Sequence, residues 1–213
     1  IQLSIDRLKE KYSNKISEGK EDFNKYLETI NRQIKDIENL VNEFSNFARM
    51  PRPIIKKMNI YSTVKRAVDF FKLSSNNSIT INSKNKELMI SGDEEQLYRV
   101  FINLIKNSEE SFQEKTIKKA DFIGKIDIEM FINNDYIVIK LKDNGIGIMD
   151  TKKVMAPYFT TKKTGTGLGL PIVNKIINEH SGDFTILNNK NEGVEITISL
   201  PNFNEKWNTS NRR

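Results

Sequence analysis

The sequence predicts an α+β fold in which an N-terminal helical hairpin precedes an α/β sandwich, with helices on one face of a mixed sheet. Three observations carry this. The first 50 or so residues repeat their apolar positions at helical spacing. Two prolines, Pro51 and Pro53, then stop the helix. Beyond them, segments of period two alternate with segments of period 3.6.

In the N-terminal part, Ile1, Ile5, Leu8 and Tyr12 mark one short apolar stripe, and Gly19 offers a break. A longer stripe follows at Phe23, Leu27, Ile30, Ile34, Ile37, Val41, Phe44 and Ala48. Its steps alternate four and three, which is a heptad seam. Tyr26, Leu40 and Phe47 widen it, so this helix faces more than one neighbour. A hairpin this apolar cannot bury itself alone. Two copies forming a four-helix bundle would do so, and packing on the downstream domain is the other arrangement. The width of the stripe favours a homodimer. The domain boundary falls at the prolines: residues 1–52 form the helical part, 53–203 the mixed domain and 204–213 a polar tail, loose except near Trp207.

Within the mixed domain, 61–73 reads as a short helix with Val64, Ala67, Val68 and Phe71 on its apolar side. Residues 78–82 and 87–90 read as short strands. Asp93 is the N-cap of a strong helix that places Leu97, Val100, Phe101, Leu104 and Ile105 on one face. The polar stretch 113–124 reads as a loop. Ile126, Ile128, Met130 and Ile132 alternate as a strand, Asn133-Asn134-Asp135 turns, and 136–141 is the partner strand. Residues 168–180 form a helix, and 184–187 with 194–200 form a last hairpin. A long loop, 149–166, is left over. Loops of that length in compact domains usually have a task.

Composition excludes several classes. There is no cysteine, so neither disulfides nor thiolate metal sites are available. No apolar run approaches the roughly 20 residues that a membrane-spanning helix needs. Ile1-Gln2-Leu3-Ser4 has no basic start or apolar stretch of a secretory signal, and it is the lack of cysteine that fits a cytoplasmic location. The net charge of +6 is mildly basic, but the basic residues are scattered. With no basic stripe or interleaved aromatic motif, a nucleic-acid role has nothing behind it.

Three constellations carry chemistry. Asp143-Asn144-Gly145-Ile146-Gly147-Ile148 puts a carboxylate directly after a strand and before a glycine turn. The carboxylate can accept a hydrogen bond from an exocyclic amine such as that of adenine, and the glycines let backbone approach a flat base. An ordinary Asp-Asn-Gly turn is an equal alternative. Asn103 and Asn107 lie one turn apart on a helix that is otherwise apolar inside. Asn107 can give a carbonyl oxygen to Mg²⁺, a hard cation, or both amides can cap nearby backbone. Gly165-Thr166-Gly167-Leu168-Gly169-Leu170 precedes a helix whose first amides attract phosphate. No Walker loop and no protein-kinase catalytic set occurs.

Taken in order, these motifs resemble the histidine-kinase branch of the GHKL ATP-binding superfamily, with its Bergerat-type sandwich. Residues 103–112 are similar to its N box and 143–148 to its G1 box. Pro157-Tyr158-Phe159-Thr160-Thr161-Lys162 is similar to the F box, and 164–170 to the G2 box. The segment Asn42-Glu43-Phe44-Ser45-Asn46-Phe47-Ala48-Arg49-Met50-Pro51 resembles the end of the dimerisation hairpin in NtrY-type nitrogen-regulation sensors. The resemblance covers nearly the whole chain.

It implies ATP and Mg²⁺ as cofactors. Asp143 would hold the adenine amino group, with Gly145 and Gly147 shaping that wall. Asn107 would ligate Mg²⁺ and Asn103 would sit beside the phosphates. Phe159 would anchor a lid over 149–166, and Lys162 would reach the phosphates. Gly165, Thr166, Gly167, Leu168 and Gly169 would form the hinge and phosphate cradle. The implied activity is transfer of the ATP γ-phosphate to a histidine, and then to an aspartate in the receiver domain of a response regulator. The implied parent is anchored in the inner membrane with this part on the cytoplasmic side, making no membrane contact itself.

Two departures matter. The family's acceptor histidine lies in the first hairpin helix, whereas the only histidine here is His180, late in the chain at a helix end. A polar ring there is commonly structural. The acceptor is therefore expected just before Ile1, and this chain alone is not expected to autophosphorylate. Hydrolysing superfamily members carry a glutamate one turn before the metal asparagine; Asn103 stands there instead. An amide is a poor general base, which disfavours a hydrolysing ATPase. A nucleotide-binding dimerisation module without kinase activity is the remaining alternative. Glu109 and Glu110 could contact the metal, assist the acceptor or face solvent.

Overall fold

The computed structural model describes residues 2–13, 15–16, 19–118, 121–151, 153–160, 162, 165–189 and 192–203. Ile1, Thr161, Thr164 and the tail with Trp207 lie outside these, and the side chains of Phe47 and Ala48 are likewise not described. The chain divides into two compact units, Ile1–Met50 with Thr160–Thr166, and Pro51–Phe159 with Gly167–Arg213.

The first unit holds helices α1 (Gln2–Tyr12) and α2 (Lys20–Ala48). Gln2 Nε2 donates to Asn31 Oδ1 at 3.2 Å and Ser13 Oγ to Asn24 Oδ1 at 2.9 Å, so the helices run antiparallel. The seam seen in the sequence closes around Ile5 and Leu27, both buried. Ile37, Leu40, Val41 and Phe44, further along α2, are exposed. No helix among the described residues is long and apolar enough to cross a membrane.

The second unit begins with β1 (Lys56–Asn59), which pairs antiparallel with β3 (Met89–Gly92) in a two-stranded sheet. Between them lie α3 (Ile60–Lys72) and β2 (Ser78–Ser83). Asn59 caps α3 by accepting Tyr61 N–H at 3.1 Å. Helix α4 (Glu94–Lys118) is followed by β4 (Lys125–Asn133), β5 (Tyr136–Asp143), a short 3₁₀ turn (Lys153–Met155), α5 (Gly169–Glu179), β6 (Asp183–Asn188) and β7 (Val194–Pro201). The main sheet has the order β2-β4-β5-β7-β6; β2 and β4 are parallel and the other pairs antiparallel, so it is mixed.

Period two sorts the two faces of this sheet. Ile126, Ile128 and Met130 of β4 and Ile137, Ile139 and Leu141 of β5 are buried. On the other face, Asp127, Lys142 and Glu195 stand side by side across three strands, and Lys142 Nζ pairs with Glu195 Oε2 at 3.1 Å. The apolar face is covered by helices whose buried sides are equally regular. Leu97, Val100, Phe101, Leu104 and Ile105 of α4 are each 0% exposed, as the sequence pattern requires.

Two sequence expectations change. Residues 113–118 are helix, not loop: α4 continues to Lys118 because Phe112 extends its buried face one turn further. Strand β1 was not expected. Only Met58 of its four residues is buried, so it shows no alternation strong enough to read.

Candidate nucleotide site

Asp143 ends β5, in phase with Ile137, Ile139 and Leu141. Alternation therefore turns its carboxylate to the helix-covered face, where it is 6% exposed. A charge there requires hydrogen bonds. Oδ1 accepts Gly145 N–H at 2.9 Å and Val194 N–H at 3.2 Å, and Oδ2 accepts the Ser108 hydroxyl at 3.0 Å. Three of its roughly four acceptor positions are thus used, leaving one on Oδ2 for a ligand donor.

The turn after Asp143 is held peptide by peptide. Lys115 Nζ donates to the carbonyls of Asn144 and Gly145 at 2.7 and 3.2 Å. Ile146 N–H donates to Ser111 Oγ at 2.9 Å. Asn188 accepts Ile148 N–H at 2.8 Å and donates to Ile148 O at 2.6 Å, closing the loop onto β6. Asn144 is itself fixed to the start of β4, its Oδ1 accepting Lys125 N–H at 2.8 Å.

Gly193, just before β7, has φ +80°, and a Cβ there would stand 2.0 Å from Asp143 O. Only glycine fits both the conformation and the space. Ser108 and Ser111 lie inside the stretch 103–112 that resembles the N box but have no assigned role there, and Lys115, Asn188 and Gly193 belong to no motif read from the sequence. Ser108 alone carried a signal: it lies four residues after Leu104 and seven after Phe101, on the buried face, where a hydroxyl must find a partner.

Asn103 and Asn107 are both half-buried on α4, one turn apart. The Nδ2 atom of Asn107 lies 3.9 Å from where a Cβ of Gly169 would stand, so the metal candidate and the first residue of α5 are neighbours. Helix α5 starts at Gly169 without a side-chain cap, and Leu168 before it is fully buried. Gly167, φ +69°, packs against the backbone of Tyr158 and Phe159, and Tyr158 N–H donates to Gly167 O at 3.1 Å. The half-buried Phe159 is thereby joined to the glycine motif. Lys162, Gly165 and Thr166 are described within the helical unit, where Lys162 N–H donates to Thr160 Oγ1 at 3.1 Å.

Other titratable candidates have structural partners. Glu109 accepts from the hydroxyl of Ser75 at 2.9 and 3.0 Å and from Asn77 Nδ2 at 2.7 Å, which ties α4 to the segment after α3. Glu110 pairs with Lys106 at 3.8 Å. His180 is 5% exposed and ends α5; Nε2 accepts Asp93 N–H at 2.8 Å, so Nδ1 carries the proton and donates to Ile176 O at 2.8 Å. Burial pushes its imidazole below the ordinary 6.5, against the Ile176 hydrogen bond and the charges of Asp93 and Glu179. Asp93 caps α4 as expected, accepting Glu95 and Gln96 N–H at 3.1 Å each. Among the described residues no three His, Asp or Glu side chains cluster as a metal site.

Residues 92–204 match the family described as histidine kinase-, DNA gyrase B-, and HSP90-like ATPase. A protein of Rickettsia prowazekii named as an NtrY-like sensor histidine kinase is 37% identical over 94% of this chain and 33% of its own length. The nitrogen regulation protein NtrY of Azorhizobium caulinodans is 32% identical over 94% of this chain and 26% of its own. The chain thus spans a third or less of these curated relatives. The catalytic domain of histidine kinase ThkA, solved free of nucleotide, aligns with TM-score 0.60 and 28% identity over 70% of this chain and 95% of that one. The chain belongs to the histidine kinase-, DNA gyrase B-, and HSP90-like ATPase family, as the ATP-binding catalytic part of a sensor histidine kinase of NtrY-like type.

Proposed function

We propose that residues 53–203 bind Mg-ATP between α4, the turn after Asp143 and the start of α5, and that the whole protein passes the γ-phosphate to a histidine and then to a response-regulator aspartate. The observation that carries this is Asp143, a carboxylate on the apolar face of the sheet with one acceptor position left on Oδ2. That position suits the exocyclic amine of adenine. The carbonyl oxygen of guanine would meet a negative acceptor there and be rejected.

Asn107 is the proposed Mg²⁺ ligand, with Asn103 beside the phosphates. Mg²⁺ keeps several waters and takes substrate phosphates, so one amide oxygen from the protein suffices and no carboxylate cluster is required. The bound ion neutralises charge on the phosphates. Gly145 and Gly147 shape the base wall, and the start of α5 at Leu168 and Gly169 is the proposed phosphate cradle. By the family resemblance, Phe159 is the proposed lid anchor, Gly165, Thr166 and Gly167 the proposed hinge, and Lys162 a proposed phosphate contact. Asn103 in place of a glutamate makes water a poor acceptor, which favours transfer over hydrolysis.

Residues 1–52 are the proposed dimerisation part. The heptad stripe on α2 fits the partner helices of a four-helix bundle. His180 does not fit the acceptor role, since both ring nitrogens are hydrogen-bonded and the side chain is buried. The parent is proposed to be membrane-anchored with this part on the cytoplasmic side.

The test is incubation of the whole parent protein with γ-labelled ATP. Acid-labile label on a histidine, transferable to a receiver domain, is expected. Release of free phosphate without protein label would contradict it and revive the hydrolysing reading.

A further inference from the structure

The polar face of α4 does not stop at the two asparagines. Asn103, Asn107, Ser111 and Lys115 recur at four-residue spacing, so they form one stripe over three turns of the helix. Asn103 and Asn107 face the proposed phosphate side. Ser111 and Lys115 face the turn after Asp143. The last turn of α4, which the sequence disguised as loop, is what carries Lys115 there.

The Lys115 ammonium has three donors, and the structure shows three acceptors: Asn144 O at 2.7 Å, Gly145 O at 3.2 Å and the Glu192 carboxylate. Its charge also lies 4.8 Å from the centre of the Phe122 ring. The Lys115 side chain is 16% exposed, whereas that of Glu192 is 71% exposed. Glu192 immediately precedes Gly193, the residue that packs on Asp143. One cation therefore joins three elements: α4, the glycine turn and the β6–β7 hairpin.

We propose that Lys115, clamped by Glu192, is a positioning residue for the base wall, fixing the turn at 144–146 relative to Asn107 on the same helix. This rests on the adenine reading of Asp143. Lys115 acts through the turn and does not itself touch nucleotide. It sets the carbonyls of Asn144 and Gly145, so that Gly145 N–H stays on Asp143 Oδ1 and the remaining Oδ2 position stays aimed at the base.

The test titrates ATP by calorimetry into the chain and its Lys115→Met, Lys115→Arg, Glu192→Lys and Asp143→Asn variants, and follows hydrogen exchange over 144–148. Met keeps the aliphatic stem, and position 192 is exposed enough for Glu192→Lys to fold even if Lys115→Met does not. Loss of charge-assisted bonds to the turn is expected to weaken ATP binding about tenfold in Lys115→Met and Glu192→Lys. Exchange over 144–148 should accelerate in both, with an unchanged melting temperature for Glu192→Lys. Lys115→Arg should restore most of the affinity. Wild-type affinity and exchange in Glu192→Lys, with binding lost in Asp143→Asn, would overturn the role of Lys115 alone. Wild-type affinity in Asp143→Asn would overturn the adenine reading, and the role of Lys115 with it.

Discussion

The ring of His180 at the end of α5 and the backbone N–H of Asp93 at the start of α4 meet at 2.8 Å. The same Asp93 accepts Ile54 N–H on Oδ2 at 2.8 Å, and Gln96 Nε2 donates to Pro51 O at 3.0 Å. One buried imidazole thus ties the two helices that carry the asparagines and the glycine motif, at the point where the chain enters the mixed domain. His180→Leu removes the buried ring that accepts this part-buried N–H, and should cost about 1 kcal/mol, read as a lower midpoint in urea unfolding.

Acid should reproduce part of that loss. His180 is held below its ordinary 6.5 chiefly by burial, so the unfolded chain takes up the proton first. Its stabilising contribution is complete above pH 6.5 and falls as pH drops through the folded value. For Asp93, burial opposes ionisation, but hydrogen bonds from Ile54, Gln96 and Glu95 and the nearby His180 outweigh it and lower its pKa below 3.8. Its contribution is present above 3.8 and lost only below that, as pH falls through the folded value. A stability profile from pH 8 to pH 5 should therefore slope downward in the wild type and flatten in His180→Leu. Equal slopes would contradict the assignment.

Gly193 and Gly145 should differ as sites for alanine. At Gly193 the added Cβ meets the backbone of Asp143 at 2.0 Å with φ at +80°, and neither can give. Gly193→Ala should cost at least about 2 kcal/mol and abolish nucleotide binding. At Gly145 the obstacle is the Ser111 hydroxyl, also at 2.0 Å, which can rotate away at the expense of its bond to Ile146 N–H. Gly145→Ala should be milder, and Ser111→Gly should partly rescue it in a double-mutant cycle.

These two glycines also show what the sequence could and could not say. Gly145 sits in a readable string, because its partner Asp143 is two residues away. Gly193 meets the same carboxylate from 50 residues further on, and only the pairing of β7 with β5 brings them together. The strands, helices and faces of the mixed domain were legible because their burial follows simple periods. Asp143, Asn107 and Gly169 were legible as motifs. Lys115 was hidden because the last turn of α4 is polar apart from Ile117, so its helicity depends on Phe112 packing beneath it. The Asn188 clasp on Ile148 is a side chain standing in for strand pairing, which no local pattern announces.

The apolar stripe of α2 should drive self-association. Ile37 and Val41 belong to this stripe and are 63% and 52% exposed. Ile37→Glu with Val41→Glu should shift sedimentation velocity toward a single-copy species without changing ATP affinity of the mixed domain. An unchanged dimer, or a wild-type chain that sediments as one copy at every concentration, would contradict the dimerisation role.

The most direct test is calorimetric titration of Mg-ATP into this chain, beside Asp143→Asn and with Mg-GTP as the control. Saturable binding of ATP, none of GTP, and a loss of roughly 100-fold in the variant are expected, since the amide can no longer satisfy two N–H donors and the base together. Equal binding of ATP and GTP, or ATP affinity retained in Asp143→Asn, would show that the buried carboxylate at the end of β5 does not read the base.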